Sequence, residues 1–269
     1  MAEGWKGWDE YAPFYDWENA RTLGRRDVPF WRGLAATAVQ GGGRRGARAR
    51  RRAAVLELGA GTGRVTIPIG KDGVPVVGID RSEAMLARAR QRVRRGRLGS
   101  TVRLVRGDIR DLPFPDATFP LVMAPYGILQ SLLVERDLAR TLAAVHRVLA
   151  PGALFGMELV ADLPAWREYS NRVSLRGRRG GGQVTLIESV RQDRARHLTH
   201  FDQEFVERRG RTSTRRRFSL AFRTLTVPQM RRRLEKAGFE VAALLGDYQG
   251  GPWDLRAEVW IVLARKAKL

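Results

Sequence analysis

The chain has 269 residues, 43% of them apolar, which suits one elaborated α/β domain with an ordinary hydrophobic core. It contains no cysteine and only three histidines, which excludes disulfides, thiolate metal ligands and a cysteine nucleophile, so we predict no metal site. No apolar run approaches the length of a transmembrane helix, and residues 1–21 lack the basic and apolar regions of a signal peptide. We therefore expect a cytoplasmic protein that does not span a membrane.

The formal net charge is +21, and only five of the 49 basic residues are lysine, so that 44 are arginine. Such a charge attracts nucleic acid or another polyanion. The arginines are scattered among acidic residues and are not interleaved with aromatic residues, as they would be in a base-stacking groove. The densest run, residues 41–52, is glycine-rich and is typical of a solvated linker. Nucleic acid is therefore a possible partner but not the favoured one.

From residue 53 onwards, short apolar runs alternate with helical stretches, which predicts parallel strands joined by crossover helices. The predicted strands cover residues 53–58, 75–80, 101–108, 118–125 and 153–160. The predicted helices between them cover residues 82–93, with Ser82 as the N-cap, and residues 135–149, with Pro151 and Gly152 as the stop signal.

Between residues 163 and 226 the pattern changes to three alternating segments, residues 183–191, 196–208 and 215–225, which predicts an antiparallel meander. A final helix begins after the predicted capping box of Thr226 and Gln229 and ends at Gly238. Strands over residues 239–246 and 257–266 follow. We predict an α/β protein with a Rossmann-like, doubly wound, mostly parallel seven-stranded sheet and an antiparallel β cap insert. Its predicted parts are N-terminal lid helices and a basic linker (1–52), a cofactor-binding core (53–162), the cap (163–226) and the completing helix and strands (227–269).

A glycine turn follows the first predicted strand, in the sequence VLELGAGTG (residues 55–63). Glycines at positions 59 and 61 let the backbone pass close to a ligand, because any side chain would fill that space. A lone Gly-x-Gly is weak evidence, since it also occurs in ordinary tight turns. The usual dinucleotide fingerprint is absent, because its third glycine would fall on Arg64.

Two further strand ends carry groups suited to a nucleoside. Asp80 ends the second strand, where a carboxylate can accept hydrogen bonds from both ribose hydroxyls, although an aspartate there is often only a helix N-cap. Asp108 follows the third strand, where it can accept a hydrogen bond from the amine of an adenine while Ile109 packs on the ring. Open α/β sheets bind ligands at this carboxyl edge, and three such strand ends in a row predict a binding site.

These segments closely resemble the class I S-adenosylmethionine-dependent methyltransferase family. ELGAGTG resembles its first motif, GIDRSEAML its ribose motif and RGDIRDLPF its adenine motif, while LVMAPYGILQSL and HRVLAPGALF resemble the fourth motif and the lead into the fifth strand. The resemblance is close over residues 53–160 and looser over the last helix and strands. Pro120 departs from it, because many members carry an acid there.

The resemblance implies S-adenosyl-L-methionine as the cofactor and suggests how it is held. Gly59, Ala60, Gly61 and Gly63 would line its methionine part, Glu57 would anchor the amino group, and Asp80 would hold the ribose. Arg81 and Met85 would flank the adenine, Asp108 and Ile109 would hold its edge, and the main chain at Met123 and Ala124 would face the sulfonium.

The N-terminal segment is rich in aromatic residues, which include Trp5, Trp8 and Trp17. Trp8, Tyr11 and Tyr15 share a helical face, so this helix is predicted to lie over the cofactor, where aromatic rings contact the sulfonium by cation–π attraction. Tyr11 and Tyr15 are the preferred contacts. Ordinary aromatic packing against the core would explain the same pattern equally well.

Methyl transfer needs alignment of the reactants and exclusion of water, with a base only where the acceptor must lose a proton. The candidate catalytic residues are Tyr126 after the fourth strand, Glu158 in the fifth, and His200 in the cap; Asp162 is a further candidate at the same edge. For Glu158 and Asp162 a role as polar loop residues is an alternative, and for His200 a solvated strand face.

The cap resembles that of small-molecule methyltransferases, which implies a small-molecule methyl acceptor and a possible homodimer through the cap. The sequence Ala124-Pro125-Tyr126-Gly127 lacks an Asn-Pro-Pro-Tyr-like tetrapeptide, which argues against methylation of adenine N6 or glutamine. We therefore expect methylation of nitrogen or oxygen in a small molecule. An RNA methyltransferase and a noncatalytic S-adenosylmethionine-binding module are the alternatives.

Overall fold

The computed structural model describes residues 7–22, 26–40, 53–160, 168–257 and 259–267. Trp5, Asp162 and the basic run at residues 41–52 lie outside these residues. The larger sheet consists of β1 (Val55–Leu58), β2 (Val76–Asp80), β3 (Val102–Arg106), β4 (Phe119–Ala124), β5 (Leu149–Val160), β10 (Phe239–Leu245) and β11 (Val259–Lys266). The smaller sheet consists of β6 (Tyr169–Arg179), β7 (Gly182–Asp193), β8 (Leu198–Arg209) and β9 (Thr212–Arg223).

The seven strands of the larger sheet lie in the order β3-β2-β1-β4-β5-β11-β10. The first five of these are parallel to one another, and β11 runs antiparallel to both β5 and β10. The predicted Rossmann-like, mostly parallel fold is therefore confirmed. Because β1 to β4 are parallel, their carboxyl ends meet at one edge of the sheet, which is the edge at which such sheets bind ligands.

Six α-helices accompany these strands in the described residues: α1 (Trp8–Asn19), α2 (Val28–Gln40), α3 (Thr66–Lys71), α4 (Glu83–Arg95), α5 (Glu135–Val148) and α6 (Val227–Lys236). A short 3-10 helix (Ile128–Ser131) follows β4. The Ser82 side chain caps α4 by accepting a hydrogen bond from the backbone of Met85, and the predicted capping box of Thr226 and Gln229 begins α6. No helix within the described ranges is long and apolar enough to cross a membrane.

The core lies on both faces of the larger sheet, since successive strand residues point to opposite sides. On one face, Leu56 and Val122 pack with residues of α5 and α6 such as Leu138. On the other face, Val55 packs with residues of α2 such as Trp31. Burial of each large apolar side chain contributes about 1.5–3 kcal/mol, so the two faces hold the sheet edge in place.

The fifth strand begins earlier than the sequence predicted. Pro151 and Gly152 were expected to stop the preceding helix, but α5 ends at Val148 and β5 starts at Leu149 and runs through both residues. Gly152 has a φ of +74°, a backbone conformation that glycine adopts without strain. The pairing of β4 with β5 shifts register between Phe119 and Leu121, and this irregularity accommodates Pro120.

The cap, β6 to β9, is an antiparallel meander of four strands. The sequence predicted three, and β6 was missed because most of its residues are exposed and it carries irregular pairing with β7. One face of the cap packs on α1: the rings of Phe14 and Phe205 stack 4.3 Å apart, and those of Tyr11 and Phe218 lie 5.4 Å apart. The cap and α1 are thus packed together as one unit.

Candidate active site

A cavity of about 510 Å³ lies at the carboxyl ends of β1 to β4, and α1 and the base of the cap also contribute to its wall. Its volume falls within the range of small-molecule sites. Nine of the predicted site residues line it: Tyr15, Gly59, Gly61, Asp80, Arg81, Met85, Asp108, Ile109 and Tyr126. The other eight predicted residues, Tyr11, Glu57, Ala60, Gly63, Met123, Ala124, Glu158 and His200, are not part of the wall.

The glycine turn after β1 is shaped by positive backbone angles, with φ of +67° at Gly59 and +53° at Gly61. A Cβ atom on Gly59 would lie 2.7 Å from the side chain of Ile128, so only glycine fits there. Gly63 and Ala60 act behind the wall: a Cβ on Gly63 would meet Ile67 of α3 at 2.7 Å, and Ala60 packs against Gly78 of β2. These two residues allow the turn and its helix to approach the sheet.

Asp80 ties this turn to the end of β2. One carboxylate oxygen accepts a hydrogen bond from the N–H of Gly61 and the other from the N–H of Ser82, each at 2.8 Å. Burial raises the pKa of Asp80 in spite of these bonds. Each oxygen keeps a further lone pair for a ligand donor, so the pair of oxygens fits the two hydroxyls of a ribose.

Asp108 is held by two arginines at the end of the cavity beside β3. Arg110 lies 2.8 Å from its carboxylate and also binds Asp137 at 2.6 Å, while Arg81 lies 3.3 Å away. Burial opposes ionisation, but the hydrogen bonds from Arg110 and the charge of Arg81 keep the pKa of Asp108 below its ordinary value. Arg110 was not predicted as a site residue, although it lines the cavity and fixes the orientation of Asp108.

Of the two predicted lid tyrosines, the structure brings only Tyr15 to the cavity. Its side chain is hydrogen-bonded to Arg64, and burial raises its pKa to about 12, so its hydroxyl is neutral. Tyr11 is buried between α1 and the cap, where its hydroxyl donates to Glu18. Trp8, which shares the predicted lid face, also lines the cavity, as does Asp9, which was not predicted as a site residue. Asp9 accepts a hydrogen bond from Ser82, which joins α1 to the end of β2.

Arg64 is the centre of a buried polar cluster that the sequence did not reveal. Two of its nitrogens bind the two carboxylate oxygens of Asp27, at 2.5 and 2.8 Å, and Asp27 is completely buried. Its guanidinium also lies 5.2 Å from the ring centre of Tyr126. The pair therefore connects the start of α2 with the glycine turn and with the tyrosine after β4.

Tyr126 and Glu158 act together at the ends of β4 and β5. Tyr126 has a φ of +56°, which is strained for a bulky residue, and its N–H donates a hydrogen bond to Glu158 at 3.1 Å. Glu158 is only 3% exposed and lies behind Tyr126, where its other oxygen accepts a hydrogen bond from the hydroxyl of Tyr248 at 3.0 Å. Burial raises the pKa of Glu158 to about 7. Its contacts make Glu158 a positioning residue for Tyr126.

Glu57 lies beneath the glycine turn, buried, with a hydrogen bond from the hydroxyl of Thr66. Burial raises its pKa to about 8. The side chains of Met123 and Ala124 are fully buried in the core on opposite faces of the sheet. The residues after β4 that line the cavity are instead the next two, Pro125 and Tyr126.

The structure does not support His200 as a catalytic base. His200 pairs with Arg191 and Ala221 on the face of the cap that points away from α1, since the alternate residues Gln203 and Phe205 are the buried ones. It does not line the cavity. The alternation of polar and apolar residues predicted this face correctly but could not show which face covers the site.

Comparison with known proteins shows that part of this chain is similar to methyltransferases. Residues 55–152 match the family model described as a methyltransferase domain. A demethylmenaquinone methyltransferase from Lactiplantibacillus plantarum is 37% identical over 159 residues, which cover 55% of this chain and 65% of the relative. A phosphatidylethanolamine N-methyltransferase from Cereibacter sphaeroides is 41% identical over 98 residues, which cover 36% of this chain and 46% of the relative. The matches thus span less than two thirds of these curated relatives.

A solved structure extends the similarity to the whole fold. An S-adenosylmethionine-dependent methyltransferase from Clostridium acetobutylicum ATCC 824 superposes with a TM-score of 0.76, at 17% identity, over 96% of this chain and 99% of that one. This similarity includes the cap as well as the larger sheet. Residues 55–152 therefore form a methyltransferase domain, and the larger sheet and the cap share the fold of that solved structure.

Proposed function

We propose that this protein transfers the methyl group of S-adenosyl-L-methionine to a nitrogen or oxygen atom of a small molecule. The observation that carries the proposal is the cavity itself. It runs from Asp108 past Asp80 to the glycine turn and ends at two neutral tyrosines, Tyr15 and Tyr126. A nucleoside site therefore leads directly to a partly covered space for a second reactant.

The residues of this cavity fit the proposed cofactor. Gly59 and Gly61 leave room for the methionine part, and Asp80 offers oxygens to the ribose hydroxyls. Met85 and Ile109 offer apolar surface to the adenine, with Asp108 held at its edge. When bound, the cofactor supplies a methyl group on a positively charged sulfur. The chain's own contribution is to align the acceptor and to exclude water. The acceptor atom itself supplies the attacking electron pair, so no side chain has to act as a nucleophile.

Tyr126 and Tyr15 are the residues that we propose to face the acceptor. Burial raises the pKa of both hydroxyls, so each is neutral and can donate or accept a hydrogen bond. The bond from Tyr126 to Glu158 holds the tyrosine in its strained backbone conformation. We therefore propose an orienting role for Tyr126 and a supporting role for Glu158.

The walls of the acceptor half favour a small and largely apolar molecule. Beyond the nucleoside groups, the cavity is lined by Ile128 and Leu132 from the segment after β4 and by Leu198 and Phe222 from the base of the cap. A cavity lined in this way suits a compact organic acceptor. The names of the two curated relatives, which refer to demethylmenaquinone and phosphatidylethanolamine, agree with a small-molecule acceptor.

Nucleic acid remains the less favoured partner. Several arginines on the outer face of the cap are engaged by acidic residues of the same face: Arg191 binds Asp202 at 3.1 Å, and Arg215 binds Glu204 at 3.3 Å. Such internal pairing supports a solvated charged surface. Self-association through the cap stays a prediction, which sedimentation of the purified protein would test.

The proposal is tested by titration calorimetry with S-adenosylmethionine and S-adenosylhomocysteine, followed by transfer of a labelled methyl group. We expect both ligands to bind and the label to enter a small-molecule fraction. RNA offered in parallel should remain unlabelled. Failure of both ligands to bind at about millimolar concentration, or label found in RNA alone, would contradict the proposal.

A further inference from the structure

In the described part of the chain, the buried carboxyl groups around Arg64 outnumber the cations that act on them. Three acidic side chains, those of Asp27, Glu57 and Glu158, are each at most 3% exposed. Arg64 is the cation that acts on them, and two of its nitrogens bind the two oxygens of Asp27. The charge of Arg64 is thereby matched by that of Asp27. The carboxyl groups of Glu57 and Glu158 are therefore in excess of the positive charge.

Both glutamates have neutral hydrogen-bond partners, but the partner of Glu57 is Thr66, which is not in the cavity wall, whereas Glu158 is bonded to a wall residue, Tyr126. Glu158 is therefore the one of the two that is coupled to the cavity. Its oxygens accept hydrogen bonds from the N–H of Tyr126 and from the hydroxyl of Tyr248, and no ion pair joins it to a basic residue in the described part of the chain. Burying an ionised carboxylate without a cation is costly. The hydrogen bonds fix the position of Glu158, but they do not neutralise its charge.

A cation bound in the cavity would lie close to Glu158. Tyr126 separates Glu158 from the cavity and lines the cavity wall with Gly59 and Tyr15. The ligand proposed for this cavity carries a positive sulfur, and its demethylated product carries none. We propose that Glu158 is the carboxylate that balances the charge of the bound methyl donor: it ionises when the donor binds and takes up a proton when the neutral product is left.

Among the described residues, the charged and titratable groups that act on Glu158 oppose one another, and the neutral hydroxyl of Tyr126 also lies near it. Asp27, at the start of α2, disfavours its ionisation, while Arg64 after β1 and the hydroxyl of Tyr248 after β10 favour it. Burial dominates, and the pKa of Glu158 is raised to about 7. The side chain is therefore divided between its two forms near neutral pH, where a nearby positive charge has the largest effect on its proton.

Such an exchange would affect the release of product. An ionised Glu158 stabilises a cation in the cavity, but it provides no such stabilisation to the neutral product. Linkage requires that the charge which lowers the pKa of Glu158 is bound more tightly as the pH rises. The ratio of the two dissociation constants, product over donor, should therefore increase with pH through the titration of Glu158.

The inference rests on the proposed function, and proton counting tests it without any acceptor. Calorimetric titrations at about pH 7 in buffers of different ionisation enthalpy give the number of protons exchanged. We expect S-adenosylmethionine to release about 0.4 proton more than S-adenosylhomocysteine, because a half-protonated Glu158 becomes almost fully ionised. In the Glu158→Gln variant this excess should fall to the small amount that the ligands themselves exchange.

Glu18→Gln is the matched control. Glu18 is a second largely buried glutamate whose pKa burial raises to about 7, and its charge acts on the hydroxyl of Tyr126. The excess proton release should persist in this variant. Across about pH 6 to 8, the preference for the donor over the product should increase about fivefold in the wild type and in Glu18→Gln, and stay constant in Glu158→Gln.

The outcomes separate the two proposals. If neither ligand binds, the proposed function fails and the inference fails with it. If both bind with equal proton release in the wild type, or if Glu158→Gln keeps the full excess, only the inference is overturned. If the excess disappears in Glu18→Gln instead, the assignment to Glu158 is wrong. Circular dichroism of each variant confirms that it is folded.

Discussion

The carboxylate of Glu158 accepts a hydrogen bond from the backbone N–H of Tyr126 at 3.1 Å, and this bond joins the carboxyl ends of two neighbouring strands. Tyr126 sits there with a φ of +56°, so a buried group from β5 supports a strained residue at the cavity wall. The hydroxyl of Tyr248 donates a hydrogen bond to the other carboxylate oxygen of Glu158. Site geometry thus depends on residues that never touch the cavity.

The raised pKa of Glu158 predicts how the free energy of unfolding varies with pH. The folded protein holds this proton up to about pH 7, whereas the unfolded chain releases it near its ordinary value of 4.5. Between these two values the folded state binds more protons, so the free energy of unfolding must fall as the pH rises. Glu158→Gln removes this contribution and should be relatively more stable above about pH 7 than near pH 5.

Thermal unfolding measured across this range checks the prediction. The difference in melting temperature between Glu158→Gln and the wild type should increase with pH. Glu235→Gln, which alters an exposed glutamate paired with Arg231, should show a nearly constant difference. A parallel shift of the whole curve for Glu158→Gln would mean that the side chain is ionised in the folded state throughout.

Much of the fold could be predicted from local sequence patterns. Short apolar runs, glycine turns and capping residues such as Ser82 and Thr226 act within a few residues, so their consequences can be predicted from the sequence. The strand β6 escaped prediction because its residues are largely exposed, with Asn171 at a φ of +51° near an irregular stretch of pairing. Its place in the cap depends on pairing with β7, not on its own pattern.

The candidate site also contains residues that the sequence predicts and residues that only the packing brings together. Gly61, Asp80 and Asp108 follow successive strands of a parallel sheet, so topology alone brings them to one cavity. Asp27 and Arg64 come from segments whose contact depends on how α2 packs against the glycine turn. No spacing in the sequence encodes that contact, and a buried arginine looks like any other among 44.

The pair of Asp27 and Arg64 should be among the more sensitive contacts for stability. The Arg64 side chain is only 13% exposed and that of Asp27 is completely buried. Replacing Arg64 by methionine leaves a buried charge without its partner, which costs about 3–5 kcal/mol. The double variant Asp27→Asn, Arg64→Met removes that charge and should recover a substantial part of the loss.

Denaturant unfolding of the two variants and of Arg32→Met measures these effects. Arg32 binds Asp72 at the surface, and its replacement should cost far less than that of Arg64, because solvent screens an exposed ion pair. Equal losses for Arg64→Met and Arg32→Met would show that the buried pair contributes no more than a surface pair. A double variant less stable than Arg64→Met would contradict the explanation by an unpaired charge.

A comparison of alanine variants at two glycines distinguishes the effect of backbone strain from that of a side chain placed in the cavity. Gly61 and Gly73 both have positive φ, +53° and +79°, and a Cβ atom on either would meet no side chain within 4 Å. Only Gly61 lines the cavity. Alanine at either position should therefore lower the free energy of unfolding by about 1 kcal/mol. Only Gly61→Ala should weaken the binding of S-adenosylhomocysteine, by about tenfold or more.

Calorimetric titration and thermal unfolding of both variants provide the test. Unchanged affinity in Gly61→Ala would mean that the ligand does not pass close to this backbone. Weakened affinity in Gly73→Ala would instead point to a general effect of strain, because that residue lies in the turn after α3 and away from the cavity.

Asp80 has a structural and a binding role, and an analogue of the ligand distinguishes them. Its oxygens already accept hydrogen bonds from Gly61 and Ser82, so Asp80→Asn disturbs the turn as well as the proposed ribose contact. Hydrogen bonds to a charged group contribute about 1.5–3 kcal/mol. We therefore expect the variant to bind S-adenosylhomocysteine about 10- to 100-fold more weakly than the wild type.

If the lost contact is to the ribose, an analogue that lacks the 2′-hydroxyl should already bind weakly to the wild type and lose little more in Asp80→Asn. The two changes would then be strongly non-additive, as they are for groups in direct contact. Additive losses, measured by the same titrations, would indicate that Asp80 acts only through the turn. Asp254→Asn, which alters an exposed aspartate, should bind both ligands with the affinities of the wild type.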